Sequence, residues 1–185
     1  MPLILLGEPE EEPLSLDDAK LFLRVSHTAD DALIADLIRT ARKHVETVTG
    51  KRLVTQIWRL VLDQWPDGGM LNLPLAPVSA IDAARLRAPD GAETAIDTSA
   101  WLLDASSARL KITERPPVLR PFAGIEIDLE AGYGVAADVP PGFVQAIRLL
   151  VAHWYEHRAS ASPQGKDALP LAVAALIAPE RSLRV

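Results

Sequence analysis

Apolar residues recur at three- and four-residue spacing near both ends of the chain and fall into short alternating runs between them. The longest helical stripe is Leu33, Ile34, Leu37, Ile38, Ala41, Val45 and Val48, one face of a helix. Thr28-Ala29-Asp30-Asp31 gives it a start. Gly50 closes it, with Lys51 and Arg52 beside the negative helix end. A shorter helix precedes it. Ser15 can cap that helix, Asp17 and Asp18 suit its positive end, and Leu16, Ala19, Phe22 and Leu23 share a face that stops near Arg24-Val25. A third stripe, Phe143, Ile147, Leu150, Val151, Trp154 and Tyr155, opens at Pro140-Pro141-Gly142 and ends near Arg158. A small, polar stretch over 159–167 then leads to a short apolar helix over 169–177.

Between the second and third stripes the period changes. Gln56-Ile57-Trp58-Arg59-Leu60-Val61-Leu62 reads as a strand, and Asp67-Gly68-Gly69 and Pro89-Asp90-Gly91 read as turns. Further strands are expected at 71–75, 81–87, 101–104 and 109–113. Ile125-Glu126-Ile127-Asp128-Leu129-Glu130 alternates strictly and ends at Gly132-Tyr133-Gly134.

The pattern predicts an α+β fold. Three main helices and a short C-terminal helix form a small antiparallel-type bundle, with one β-rich region inserted between the second and third helices. The expected segments are an acidic extended tail over 1–13, a helical hairpin over 14–54, a β-rich insert over 55–135, a core helix over 139–160, and a loop, short helix and docking tail over 161–185.

Composition narrows the chemistry. The 185 residues include no cysteine, which removes disulfides, thiol nucleophiles and cysteine-ligated metals. The formal charge of −6 opposes tight binding to DNA phosphates, whose affinity comes from counterion release to basic groups. It leaves open a surface that lets DNA pass without holding it. No apolar run reaches the ~20 residues of a membrane helix. The apolar start Leu3-Ile4-Leu5-Leu6 has no basic residue before it and four glutamates soon after, the wrong order for a signal peptide.

One motif points to catalysis. His153-Trp154-Tyr155-Glu156-His157 is an H-x-x-E-H run, which on a helix can place two histidines on one zinc beside an activating glutamate. Its third ligand is not evident, and two interfacial histidines with a solvated glutamate is the plainer account. Glu126, Asp128 and Glu130 form a solvated strand face or the lining of an acidic pore. Trp65, beside Pro66-Asp67-Gly68-Gly69, is a candidate loop contact.

The C-terminal segment is unusual. Leu169, Leu171, Val173, Leu176 and Ile177 are apolar nearly all round a short helix on a polar tether, with Pro179, Arg181, Leu183, Arg184 and Val185 behind them. Such a helix either completes its own core or docks into a groove on another chain.

Three runs together resemble a known family. They are Leu14-Ser15-Leu16-Asp17-Asp18-Ala19-Lys20-Leu21-Phe22-Leu23-Arg24-Val25, then Asp30-Asp31-Ala32-Leu33-Ile34, then Ala41-Arg42-Lys43-His44-Val45-Glu46-Thr47-Val48-Thr49-Gly50-Lys51. With the third helix and the proline–apolar–arginine ending, they resemble the head–tail connectors of tailed phages and the adaptors of phage-like gene transfer agents. The resemblance implies a structural neck protein, assembled in the bacterial cytoplasm, with no catalytic residue, cofactor or metal. It implies a ring, commonly of twelve copies, beneath the portal protein. The ring would join the portal to a stopper-like neck or tail protein, and DNA would cross its axial channel without specific binding. It also implies that the C-terminal segment attaches to the portal. A zinc hydrolase built on the H-x-x-E-H helix, or a neighbouring neck protein such as a stopper or tail terminator, stands as the alternative. The three helical stripes speak against the last.

Overall fold

The computed structural model describes residues 2–157 and 171–180. Four α-helices appear among them: α1 (Leu16–Leu23), α2 (Asp31–Thr49), α3 (Pro141–Glu156) and α4 (Leu171–Ile177). Eight strands accompany them: β1 (Leu3–Gly7), β2 (Gln56–Leu62), β3 (Met70–Asn72), β4 (Val78–Arg87), β5 (Glu93–Ile96), β6 (Leu102–Asp104), β7 (Arg109–Lys111) and β8 (Ile125–Ala131). The chain divides into two compact units, Met1–Glu10 with Thr55–Tyr133, and Glu11–Val54 with Gly134–Val185.

The first unit holds two antiparallel sheets. The larger runs β1-β2-β8-β4-β5 and the smaller β3-β7-β6. The alternation in β8 sets the core, because successive side chains leave a strand on opposite faces. Ile125, Ile127, Leu129 and Ala131 are buried among Leu60, Leu62, Val78, Ala84 and Leu86 of the neighbouring strands. Leu71 and Leu110 of the smaller sheet, with Leu73, Leu75, Trp101 and Ile112, complete the same cluster. Both turn signals shape this unit. Asp90 accepts from the amide of Ala92 at 3.0 Å in the β4–β5 hairpin. Gly69 has φ 72°, and a Cβ there would lie 2.4 Å from the Ile112 carbonyl oxygen, so only glycine fits.

The second unit is helical. Ser15 caps α1 by accepting from the Asp18 amide at 3.1 Å, and Gly50 closes α2 at φ 73° with its amide on the Glu46 carbonyl. Ile34, Ile38, Ala41 and Val45 of α2 are buried, as are Phe143, Ala146, Ile147, Leu150 and Val151 of α3. Polar ties join the helices. Lys20 pairs with Asp31 at 2.6 Å, the Tyr155 hydroxyl donates to Asp30, and the rings of His44 and Trp154 meet edge to face at 6.0 Å.

A helical bundle carrying a single β insert is therefore the wrong description. The strands are not confined to one insert: β1 comes from the first residues of the chain and pairs with β2, Ile4 opposite Arg59 and Leu5 opposite Trp58. The β residues also split into two sheets rather than one irregular region. The physical reason is that β1 has no signature of its own. Leu3-Ile4-Leu5-Leu6 does not alternate in polarity, and its partner lies some fifty residues away in sequence, so only tertiary pairing makes it a strand. The hairpin strand β5 escapes notice similarly, being short and largely exposed.

Candidate functional site

The apolar C-terminal helix has two faces. Val173 and Ile177 of α4 are fully buried within the helical unit, where α4 lies against α3. Leu171 is 89% exposed, Ala172, Ala175 and Pro179 are exposed, and Leu176 is half-buried. Leu169, Arg181, Leu183, Arg184 and Val185 lie outside the described residues, as does the 159–167 stretch. Two apolar side chains thus fasten α4 to its own subunit while Leu171 and Pro179 face outward. The choice between completing a core and presenting a surface is made residue by residue along one short helix.

Two of the three acids on β8, Glu126 and Asp128, are not solvated free charges. Glu126 and Asp128 are both buried and each is gripped by arginines from the flanking strands. Arg59 of β2 sits opposite Asp128 in register and donates to it from two nitrogens, at 2.7 and 3.0 Å. Arg85 of β4 reaches the same carboxylate. Arg87 donates to Glu126 at 2.9 and 3.3 Å and also to Glu93 of β5 at 2.6 Å. Two-pronged arginine–carboxylate pairs of this kind are directional as well as strong. The face is a neutralised ladder that ties four strands together. The expectation of a solvated or pore-lining acid face failed because period-two alternation shows which residues leave the core, not what the adjacent strands place beside them.

Asp128 is held below the ordinary carboxylate range. Burial is the largest single influence and pushes its pKa up, but the hydrogen bonds and charges of Arg59 and Arg85 together outweigh it. A carboxylate with a depressed folded-state pKa contributes stability that is present above its unfolded value of 3.8 and is lost as pH falls through the folded value. Thermal unfolding midpoints measured from pH 7 down to about pH 2 should therefore fall more steeply below about pH 4 in the native chain than in Asp128→Asn. Parallel curves for the two would contradict this. Asp104 is also held low, chiefly by hydrogen bonds from Ser106 and Ser107 in the β6–β7 turn.

The second buried charge site is in the helical unit. Arg42 is 1% exposed and central to it. Its Nε donates to Glu12 at 2.7 Å, its Nη2 to the other oxygen of Glu12 at 3.3 Å, and its Nη1 to Glu46 at 3.2 Å. Glu46 in turn accepts from the Leu53 amide at 3.0 Å. The i,i+4 spacing of Arg42 and Glu46 is visible in sequence. The role of Glu12, thirty residues upstream, is not. Nearby, burial holds the Arg52 guanidinium below its usual pKa.

The H-x-x-E-H helix brings two histidines together, with ring centroids 4.5 Å apart, but His157 turns Nδ1 onto the His153 carbonyl at 2.7 Å. No group of three histidine, aspartate or glutamate side chains able to hold a metal exists among the described residues. Trp65 is part-buried. Its Nε1 donates to the Pro116 carbonyl at 2.7 Å, its ring meets Trp101 edge to face, and it lines an open concavity of about 370 Å³ with Leu62, Pro66 and Leu71.

Residues 13–84 match the model of the phage gp6-like head–tail connector protein family. The whole chain also matches solved subunits. One lies in the neck of an empty gene transfer agent particle computed with C6 symmetry, at 31% identity and TM-score 0.84, covering 100% of this chain and 97% of that one. The chain belongs to the phage head–tail connector family. Two further matches cover the same shares: a native gene transfer agent virion at 32% identity and TM-score 0.81, and a native neck computed with C12 symmetry at 31% and 0.82. No curated protein matches. The connector family's matched segment runs from just before α1 into β4, so it spans the helical hairpin together with β2, β3 and most of β4. No helix of this connector, among the described residues, is long and apolar enough to cross a membrane.

Proposed function

We propose that this connector is one subunit of a neck ring, of about twelve copies as the twelvefold symmetry of a related neck suggests, in a tailed phage or gene transfer agent particle. The ring sits beneath the portal, joins it to the next neck or tail component, and leaves an axial channel through which DNA passes. Its role is structural. The observation that carries this reading is full-length likeness, above 30% identity, to subunits of necks computed with sixfold and twelvefold symmetry.

The portal contact is assigned to the C-terminal segment: Leu169, Leu171, Leu176, Pro179, Arg181, Leu183, Arg184 and Val185 meet the portal, while Val173 and Ile177 hold the segment's base on its own subunit. The two-faced burial of α4 supports this division. Trp65, at the edge of its concavity, is a candidate contact with the next component. A net charge of −6 per subunit, repeated around a ring, favours passage of DNA over its retention.

Removing residues 181–185 tests the assignment. The deletion leaves Val173 and Ile177 in place, so the unfolding midpoint is expected to stay within a degree or two. Co-purification with the portal is expected to be lost. Undiminished portal binding by the shortened chain would overturn the C-terminal attachment.

A further inference from the structure

The larger sheet ends in β1, and that edge has the composition of an interface. Native edge strands are normally guarded by lysine, proline or inward charge, because a row of open backbone groups invites another strand. Leu3-Ile4-Leu5-Leu6-Gly7 contains none of these. Its inner side is occupied: Leu3 packs on the core, and Leu5 sits opposite Trp58. Its outer side is not. Ile4 is 48% exposed and Leu6 45%, and Ile57, on the next strand opposite Gly7, is 42% exposed. The register shift between Leu5 and Gly7 is confined to the end of the strand and leaves Leu3, Ile4 and Leu5 regularly paired. An apolar strip and an unpaired backbone edge therefore coincide.

We infer that β1 is a subunit-to-subunit contact: its outer edge, with Ile4, Leu6 and Ile57, is covered by a second copy of this chain in the ring. The inference rests on the ring reading above. A second copy is the occupant that the rotational symmetry of the related necks supplies, since every subunit there has a like neighbour on each side. A ring contact is heterologous, so a patch on one side need match only a different patch on the next copy and need not be self-complementary. Nothing in β1 carries a charge that would favour DNA or an acidic or basic partner at this position.

Site-specific photocrosslinking in assembled necks tests this with the full chain. Benzoylphenylalanine replaces Ile4, the necks are irradiated, and the products are mapped by mass spectrometry. The expected product is a dimer of this chain linked through position 4. In parallel, Ile4→Lys/Leu6→Lys is expected to keep the native circular dichroism and unfolding midpoint, because both side chains are outside the core, and to enter necks at least tenfold less well, the ratio that ~1.4 kcal/mol per contact would give. A ring of this chain whose position 4 links only to another protein, or to nothing, overturns the β1 contact and leaves the ring. Normal incorporation of the double-lysine chain does the same. Necks with no ring of this chain remove the ring reading and the contact with it.

Discussion

Replacing Arg42 with methionine is expected to destabilise the helical unit by about 3–5 kcal/mol, the range for breaking one partner out of a buried ion pair. Arg42 is the shared donor between Glu12 and Glu46. Without it, the almost fully buried carboxylate of Glu46 loses the guanidinium it shares with Glu12. Taking up a proton or moving toward water would disturb the Glu46–Leu53 hydrogen bond that ends the hairpin. Denaturant unfolding of the Arg42→Met chain measures the loss. Arg42→Met/Glu46→Gln should recover much of it, because glutamine still offers an oxygen to the Leu53 amide without the charge. A single variant within 1 kcal/mol of the native chain would mean that the cluster is a surface pair in energetic terms, where about 0–1 kcal/mol is usual.

Truncation after Gln164 is expected to have the second-largest effect. Sequence alone leaves α4 either completing its own core or docking on another chain. The truncation removes Val173 and Ile177, both fully buried. Burying an aliphatic side chain of that size is worth about 1.5–3 kcal/mol each, so about 3–6 kcal/mol should be lost, with the α3 face beneath them exposed to water. The longer chain ending at Glu180 keeps both residues. Thermal unfolding of the two truncations should differ clearly, while both fail to bind the portal. Equal stability of the two would show that α4 contributes nothing to the core.

The helices were legible because each carries local signals that agree: a cap at Ser15, a closing Gly50, prolines opening α3, and stripes of correct period. The strand β8 was equally clear, and so was its inward face. What lay beyond the sequence were properties created by pairing between distant segments. β1 is a strand only because β2 is there. Glu126 and Asp128 are buried only because Arg59, Arg85 and Arg87 arrive from β2 and β4. Glu12 belongs to an ion cluster only through Arg42. The C-terminal helix illustrates the same limit at finer scale. An apolar composition announces that α4 must bury something, yet which of its residues turn inward depends on α3.

We propose above that copies of this connector form the ring beneath the portal. Electron cryomicroscopy of assembled particles, with the full chain in place, tests it directly. The expected image is a single closed ring of this chain in contact with the portal, axial channel open, each subunit's residues beyond Glu180 against the portal. A neck in which this chain is absent from the portal-proximal layer, or present as isolated copies around another ring, would contradict it.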